Sequence, residues 1–254
     1  MKIEILYPEI ANLFGDLANI KYIMASTPGC KVIGTDLNTK PAFLTENDID
    51  LVYMGTMTEN SQLVAMEHLE PYKDEIKRSI ECGQRFLMTG NAFEIFCKEI
   101  KDMDDMPINR FPERVNVETK ITQCLGIFDI SVKRAVMHRL NSLYLGRYGD
   151  LDIVGFKSIF TCAEKNADYP ALFETTRGPG LDKAEGTGEG IRYKNFMATY
   201  LTGPLMVLNP KFMIRFLIEC GGTNIKPPHM GAAMAAYEQR VQEFKRDNLN
   251  YIYG

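Results

Sequence analysis

The sequence predicts an α/β protein built on a central, mostly parallel β-sheet that helices cover on both faces. Three short apolar runs, Lys2–Tyr7, Asp50–Met54 and Arg85–Met88, are typical of strands in a buried parallel sheet. Segments whose apolar residues recur at helical spacing lie between these runs. Strands that alternate with helices through short connections favour a parallel sheet, because each connection must cross over the sheet.

The first unit is a strand over Lys2–Tyr7, where polar and apolar residues alternate before Pro8. A helix is predicted over Ile10–Ala25, and a short strand over Lys31–Thr35 follows it. The stripe that predicts the helix consists of Ile10, Leu13, Phe14, Leu17, Ile20, Ile23 and Met24.

The second and third apolar runs each lead into a helix. After the second run, Thr58–Glu81 is predicted to be one helix, or a turn and then a helix. Gly83 suits the end of that helix, where the chain often needs a left-handed conformation. After the third run, Thr89–Asn91 is predicted to form a tight turn, and Ala92–Ile100 is predicted to be helical.

The second half of the chain is richer in strands and ends in helices. The predicted strands are Gly126–Val132, Leu143–Leu145, Ile153–Phe160 and Ile191–Tyr200. Pro170–Gly190 is predicted to be a loop, and Asn209 to cap a helix that begins at Pro210. A last helix is predicted over Gly231–Asn248. We expect residues 1–220 to form one domain, with residues 221–254 as its C-terminal helical appendage.

Composition excludes several classes of function. The 254 residues carry a net charge of −4, whereas a general nucleic-acid binder is normally basic, so no nucleic-acid partner is expected. No apolar stretch approaches the roughly 20 residues that span a bilayer, and the N-terminus does not resemble a signal peptide, so no membrane association is expected. Six scattered cysteines indicate reduced thiols of a cytoplasmic protein, and three histidines without ligand spacing predict no metal site and no cofactor.

The turn after the third apolar run predicts the functional site. A strand that runs into a sharp turn and a helix places the turn at the carboxyl edge of the sheet, where ligands and nucleophiles of such folds lie. The segment reads FLMTGNAFEIFCKE, so Gly90 stands where a Ser or Cys nucleophile would be expected. Gly90 is equally explained as a turn residue that needs a positive φ.

Five segments, in order, resemble the CobB/CobQ group of class I glutamine amidotransferases. They are LYPEIANLFGDLANI, DLVYMGTMTENSQ, FLMTGNAFEIFCK, IVGFKS and EGIRYKNFMATYLTGPLMVLNP. The last of them is the most specific, since it matches the family's Glu-Gly-x-x-Tyr-Lys-Asn and Gly-Thr-Tyr-Leu-His-Gly-Pro-Leu-Leu in sequence. The resemblance implies the three-layer, flavodoxin-like fold of class I glutamine amidotransferases, with a central, mostly parallel sheet.

The resemblance also assigns positions in the site, and several of them are substituted. Gly90 falls at the family's Cys nucleophile and Thr202 at its His base, and neither side chain supplies that chemistry. Arg139 falls at the arginine that binds the glutamine carboxylate, although a solvated surface charge explains it as well. The oxyanion loop and pocket correspond to Gly55, Thr56, Thr89, Asn91 and Ser158. Lys157 and Glu94 replace a family Glu and a family Gln, and Glu94 is compatible with facing either the pocket or solvent.

Other side chains are weighed as replacements for the missing pair. Cys162, close to the family's site, is the best candidate for a displaced nucleophile, while Cys97 and Cys82 suit packing positions. His138, beside the arginine, is a candidate base, although a lone His is more often structural or exposed.

Three hypotheses therefore stay open. The first is an active glutaminase subunit, working by a non-standard mechanism, that supplies ammonia for amidation of a cell-wall precursor or a cobyrinate-like acid. The second is a degenerate subunit that binds or regulates a partner, and the substitutions favour it. The third is unrelated chemistry in the vacated pocket, since a fold does not fix a function. The resemblance implies a MurT-like Mur ligase subunit as partner and a small-molecule ligand related to glutamine.

Overall fold

The computed structural model describes residues 1–103, 120–182 and 187–253 of the chain. Strands within these ranges are numbered in chain order. They are β1 (Lys2–Leu6), β2 (Lys31–Thr35), β3 (Leu51–Met54), β4 (Phe86–Thr89), β5 (Glu99–Asp102), β6 (Lys120–Gln123), β7 (Ile130–Arg134), β8 (Leu140–Tyr148), β9 (Leu151–Ile159), β10 (Thr161–Lys165), β11 (Glu174–Arg177), β12 (Ile191–Tyr193), β13 (Phe196–Thr199) and β14 (Ile252–Tyr253).

Helices occur on both sides of these strands. The α-helices are α1 (Ala18–Ser26), α2 (Glu59–Leu69), α3 (Lys73–Glu81), α4 (Leu205–Leu208), α5 (Pro210–Glu219) and α6 (Met230–Phe244). Short 3-10 helices cover Leu13–Gly15, Ala42–Leu44, Glu70–Tyr72 and Gly90–Phe96. The 3-10 turn between α2 and α3 contains Pro71, which accounts for the break in the long helical segment predicted there.

The central sheet has six strands in the order β12-β13-β4-β3-β1-β2. Neighbouring strands are parallel except β12 and β13, which form an antiparallel pair at one edge. The three apolar runs that predicted the sheet are therefore adjacent, and this prediction is confirmed. Parallel strands joined by helical crossovers bury both faces of a sheet, as their continuous apolar sequences require.

The two faces of the sheet belong to separate cores. On β3, Val52 and Met54 pack into one core with the apolar faces of α2 and α3, whereas Leu51 and Tyr53 face the other core with α1, α4 and α5. This alternation follows from the two-residue period of a strand. Two helical layers thus enclose one mostly parallel sheet, as the predicted fold class requires.

The remaining strands form two smaller sheets. One has the order β10-β7-β5-β6, and the other has the order β11-β8-β14, with β9 also paired to β8. An isolated bridge between Phe156 of β9 and Thr202 connects this β-rich part to the segment that follows β13. The strand-rich second half is confirmed, although its strands differ in extent from the predicted ones.

Two predicted helices are wrong. The segment Ile10–Ala25 is α-helical only from residue 18, and it is preceded by a 3-10 turn in which Phe14 and Gly15 adopt positive φ angles of 56° and 72°. The segment Ala92–Ile100 is a 3-10 helix that ends at Phe96, and its last residues enter β5. In both places the chain turns to meet tertiary partners, which an apolar stripe does not reveal.

Smaller corrections concern the second half. The predicted strand Ile191–Tyr200 is a hairpin that turns at Lys194, which has a φ of 52°. The predicted loop Pro170–Gly190 contains β11, and its residues 183–186 lie outside the described ranges. Asn209 makes no side-chain cap for α5; its amide instead bonds the backbone N–H and C=O of Val154 in β9, both at 2.8 Å.

The C-terminal segment packs on the sheet that contains β8 and β9. Tyr237 and Val241 of α6 share a small core with Leu145 and Val154, and β14 adds to the edge of β8. The division of the chain at residue 220 stays a prediction. Across the described residues, no helix combines the length and the apolar character that crossing a membrane requires.

Candidate functional site

The turn at the carboxyl end of β4 is where the sequence placed it. The strand ends at Thr89, Gly90 has a φ of +60°, and a 3-10 helix begins there and continues to Phe96. A positive φ of this size suits glycine, because other L-residues pay a steric cost there. The neighbouring loop after β3, which begins at Gly55 and Thr56, lies directly against this turn.

Thr56 occupies the space next to Gly90. A Cβ atom built on Gly90 would lie 2.1 Å from Thr56 Oγ1, 2.8 Å from its Cγ2 and 2.9 Å from its Cβ. Real Cβ atoms essentially never come this close to another heavy atom. A side chain at position 90 is therefore incompatible with the observed position of the Thr56 side chain.

The Asp16 carboxylate binds both Thr56 and Thr89 and so fixes the loop after β3 against the end of β4. Its Oδ2 atom accepts hydrogen bonds from the Thr56 backbone N–H at 2.8 Å, from Thr56 Oγ1 at 2.6 Å and from Thr89 Oγ1 at 2.8 Å. The Tyr53 hydroxyl, 3.0 Å from Thr89 Oγ1, donates to the Asp16 carbonyl. Burial raises the pKa of the Asp16 carboxyl, while the hydrogen bonds from Thr56 and Thr89 act in the opposite direction.

Asn91 joins the turn to the loop after β3. Its Oδ1 atom accepts from the backbone N–H of Met57 at 3.0 Å, and its Nδ2 atom donates to the Met57 carbonyl at 2.9 Å. The Thr56 carbonyl accepts from the N–H of Leu13 at 2.9 Å. The Met57 N–H is thus already engaged by a side chain, whereas an oxyanion loop needs N–H groups that point at a reacting oxygen.

A cavity of about 160 Å³ opens beside this turn. Four of the predicted site residues line it, namely Thr56, Asn91, Arg139 and Ser158. Glu94, Arg134, Phe160 and Thr161 also line it. The other four predicted residues, Gly55, Thr89, Gly90 and Thr202, are buried and are not part of the cavity lining.

Thr202 is held by β9 rather than by the turn. Its backbone N–H donates to the Phe156 carbonyl at 2.8 Å, and its Oγ1 donates to the same oxygen at 3.2 Å. The next residue of the same face of β9, Ser158, reaches the cavity. The resemblance, which assigns Thr202 and Gly90 to a base and a nucleophile, implies that both residues border one cleft, and this convergence stays a prediction.

Two residues that line the cavity, Glu94 and Arg134, belong to a chain of hydrogen-bonded polar groups. Gln62 Nε2 donates to Glu94 Oε2 at 2.8 Å, and Gln62 Oε1 accepts from Arg134 at 3.3 Å. Arg134 binds Asp102 through two hydrogen bonds, of 2.6 and 3.0 Å. Burial raises the pKa of the Glu94 carboxyl, while the hydrogen bond from the Gln62 amide and the Arg134 charge act in the opposite direction. Of the two placements considered for Glu94, the structure shows the one that faces the pocket.

Arg134 was not predicted as a site residue, although its position in the strand pattern could have identified it. Arg134 ends the strand ISVKR on the same face as the apolar residues Ile130 and Val132, and its side chain is buried there. A buried arginine requires a paired acid, and the parallel neighbour β5 places Asp102 directly opposite it. The sequence alone did not reveal that Glu99–Asp102 is a strand.

Arg139 stands at the exposed end of the cavity. Its guanidinium lies 4.4 Å from the centre of the Phe160 ring and 3.4 Å from Ser158 Oγ. Ser158 Oγ in turn donates to Asn141 Oδ1 at 2.8 Å. Stacking on an aromatic ring orients a planar guanidinium without neutralising it, so Arg139 presents a positive charge to the cavity.

The replacement candidates are not in the cavity lining. Cys162 follows Thr161, and adjacent side chains of a strand point to opposite faces, so only Thr161 reaches the cavity. Cys97 is buried, and burial raises the pKa of its thiol well above the ordinary value. Cys82 and His138 are exposed, at the end of α3 and in the turn between β7 and β8. Within the described ranges, no group of His, Cys, Asp and Glu side chains suits a metal ion.

Comparison with known proteins gives a sequence relative and two structural neighbours. The relative is the GatD subunit of lipid II isoglutaminyl synthase (glutamine-hydrolyzing) from Staphylococcus aureus strain N315. It is 24% identical over 200 residues, which cover 78% of this chain and 75% of that protein. No family model matches the chain.

The structural neighbours show the fold. A crystal structure of a glutamine amidotransferase matches with a TM-score of 0.54 and 12% identity, over 86% of this chain and 98% of that one. The PurLQS structure from Thermotoga maritima matches with a TM-score of 0.51 and 11% identity, over 96% and 99% of the two chains. The chain is glutamine amidotransferase-like in fold and is related in sequence to GatD.

Proposed function

We propose that this chain is a degenerate, GatD-related subunit of a cytoplasmic complex. In this proposal it keeps a ligand pocket and a partner surface but does not hydrolyse glutamine, and it binds or regulates a MurT-like Mur ligase. The single observation that carries the proposal is the contact between Gly90 and Thr56. It leaves no room for a side chain at the position that the resemblance assigns to the nucleophile.

Two further observations support the loss of hydrolysis. The Met57 N–H, in the loop that the resemblance assigns to oxyanion binding, is engaged by Asn91. Thr202 lies at the position that the resemblance assigns to the base, and a hydroxyl is too weak a base at neutral pH to replace an imidazole. Removing one member of a nucleophile–base pair already eliminates most of the rate, so the absence of both predicts no turnover by that mechanism.

The ligand pocket supports the binding half of the proposal. Arg139 supplies a positive charge at the rim, and Glu94 supplies a buried carboxyl on the wall. A ligand related to glutamine carries an anionic carboxylate for the first and N–H donors for the second. The partner half follows from the relative, whose name describes GatD as a subunit of a synthase.

Ammonia release tests the proposed loss of hydrolysis. The purified chain, alone and with a MurT-like Mur ligase, is expected to release no ammonia from glutamine above the buffer rate. A glutamine-analogue electrophile is expected not to modify residue 90, whereas an active GatD preparation is modified as a positive control. Turnover that Cys162→Ala abolishes would refute the proposal and identify a displaced thiol.

Ligand and partner binding are measured separately. Glutamine binding by calorimetry is expected to weaken about tenfold in Arg139→Gln, the effect of about 1.4 kcal/mol from one charge-assisted hydrogen bond. Arg147→Gln, an exposed arginine of β8 that is not part of the cavity lining, is the matched control. Co-purification of the ligase supports the partner, and a ligase whose stability and activity are the same with and without this chain contradicts it.

A further inference from the structure

We infer that Thr56, besides the substitutions at positions 90 and 202, prevents nucleophilic catalysis at this turn. Its side chain fills the space that a nucleophile at position 90 would need, so substitution at position 90 alone cannot restore one. The inference rests on the proposed function, in which residue 90 stands at the nucleophile position. The resemblance assigns Thr56 only to the oxyanion loop and pocket, and the inference gives this residue a blocking role that the missing Cys and His do not reveal.

Thr56 is fixed in place by hydrogen bonds at two backbone atoms and at its side-chain hydroxyl. The N–H and Oγ1 both donate to Asp16, at 2.8 and 2.6 Å, and the carbonyl accepts from Leu13 at 2.9 Å. Rotating the hydroxyl away from position 90 would break its bond to a carboxylate with 1% of its surface exposed. Asp16 would then lose one of three donors, and its Oδ1 atom already makes no hydrogen bond within the described residues. A buried carboxylate that loses a donor is costly, so Thr56 resists displacement.

Thr56 also separates residue 90 from the cavity. Thr56 lines the cavity and Gly90 does not, although a Cβ on Gly90 would lie 2.1 Å from Thr56 Oγ1. A ligand in the cavity therefore contacts the threonine, and the position behind it is closed. Restoring side chains at positions 90 and 202 leaves this obstruction in place, so recovery of a reactive site requires a change at position 56 as well.

Thermal melting of the isolated chain tests the obstruction. Gly149 is the matched control for Gly90, since it has the same φ of +60° and a Cβ built on it meets nothing within 4 Å. Gly149→Ala measures the backbone cost of a side chain at that φ, and Gly90→Ala adds the collision with Thr56. We expect the melting midpoint of Gly90→Ala to fall at least about 5 °C below that of Gly149→Ala.

Two substitutions at position 56 differ only in the hydroxyl oxygen, the atom nearest to a Cβ on Gly90. Thr56→Ser keeps Oγ1, and Thr56→Ala removes both Oγ1 and Cγ2, which are the two nearest atoms. Each is measured with and without Gly90→Ala, so that its own cost cancels in the comparison. The decrease in melting midpoint that Gly90→Ala causes is expected to shrink by more than half when position 56 is alanine. The decrease is expected to persist when position 56 is serine. Equal midpoints for Gly90→Ala and Gly149→Ala, or equal relief by serine and alanine, would overturn the inference.

Alkylation gives a second measurement that does not depend on stability. Gly90→Cys is combined with Thr56→Ala or Thr56→Ser, and modification of the new thiol by iodoacetamide is followed by peptide mass spectrometry. We expect modification at least about tenfold faster in the alanine background, because position 90 then opens to the cavity. Equal rates would refute the obstruction. Neither measurement involves glutamine or a ligase, so failure of the proposed function and failure of this inference are distinguishable.

Discussion

Lys157 and Glu189 form an ion pair whose side chains are both 0% exposed. The Lys157 ammonium also donates to the carbonyls of residues 179 and 180, each at 2.8 Å. The Glu189 carboxylate accepts from Thr199 Oγ1 at 2.9 Å and from the Tyr200 N–H at 2.7 Å. The pair thus joins β9, the chain around residue 180 and the end of β13, which leads to the Thr202 segment.

Removing the lysine should be strongly destabilising. Lys157→Met leaves the Glu189 carboxylate buried without its cation, and breaking a buried pair in this way costs about 3–5 kcal/mol. A chain of this size loses about 2–4 °C in melting midpoint per kcal/mol, so the midpoint should fall by roughly 10 °C. The same principle predicts a smaller loss when the second charge is removed too, because no buried charge is then left uncompensated.

Thermal melting and urea unfolding of three variants measure this effect. Lys157→Met is compared with Glu189→Gln and with the double variant, in which the glutamine carbonyl still accepts from the Tyr200 N–H. We expect the double variant to be more stable than Lys157→Met, with a coupling of at least about 1 kcal/mol. A Lys157→Met midpoint within about 2 °C of the wild type, or purely additive losses, would refute this account of the pair.

Three further substitutions test other features of the structure. Glu94→Gln keeps an acceptor for Gln62 and removes a carboxyl whose pKa burial raises above its ordinary value of 4.5. The folded wild type then binds this proton more tightly than the unfolded chain, so wild-type stability falls as the pH rises from 4.5 through the raised pKa. The variant should gain stability relative to the wild type over that range, and urea titrations at pH 4 and pH 7 that show equal differences would contradict this. Thr58→Ala removes the side chain that caps α2 by accepting from the Ser61 N–H. Urea unfolding should show that the free energy of unfolding falls by about 1 kcal/mol, and an unchanged value would show that the cap contributes nothing. Arg177→Ala removes the side chain that donates to carbonyls at the end of α6, so amide exchange after residue 244 should accelerate, and unchanged exchange there would contradict that role.

The central sheet was predictable because its signal is local. The strands β1, β3 and β4 are short apolar runs, and helical segments between them require parallel neighbours. The predicted helix Ile10–Ala25 failed where tertiary contacts decide the backbone. The Asp16 carboxylate accepts hydrogen bonds from Thr56 and Thr89, and Phe14, two residues before it, adopts a left-handed conformation. An apolar stripe contains no information about such partners.

The turn at Gly90 was predictable from a strand, a turn and a helical segment that are contiguous in sequence. Arg139 and Ser158 came from the resemblance, and both line the cavity beside this turn, while their roles in binding stay predictions. The resemblance placed Gly90 and Thr56 in one site, but they lie 34 residues apart in the chain, and the steric contact between them is seen only in the structure. Arg134 was missed for the same reason, because its acid partner lies on a neighbouring strand that the sequence did not predict.

Most polar groups of the turn and of the loop after β3 are hydrogen-bonded to one another, with Asp16 Oδ1 as an exception. A pocket that had merely lost a side chain would leave polar groups of its loop without partners, and buried polar groups without partners are rare in native proteins. Here Asn91 bonds both backbone groups of Met57, and Asp16 bonds the N–H and the hydroxyl of Thr56. Thr56 in turn fills the space that a side chain on Gly90 would require. The turn and the loop are therefore stabilised in their present form, and for this reason a single substitution at position 90 should reduce stability before it adds any chemistry.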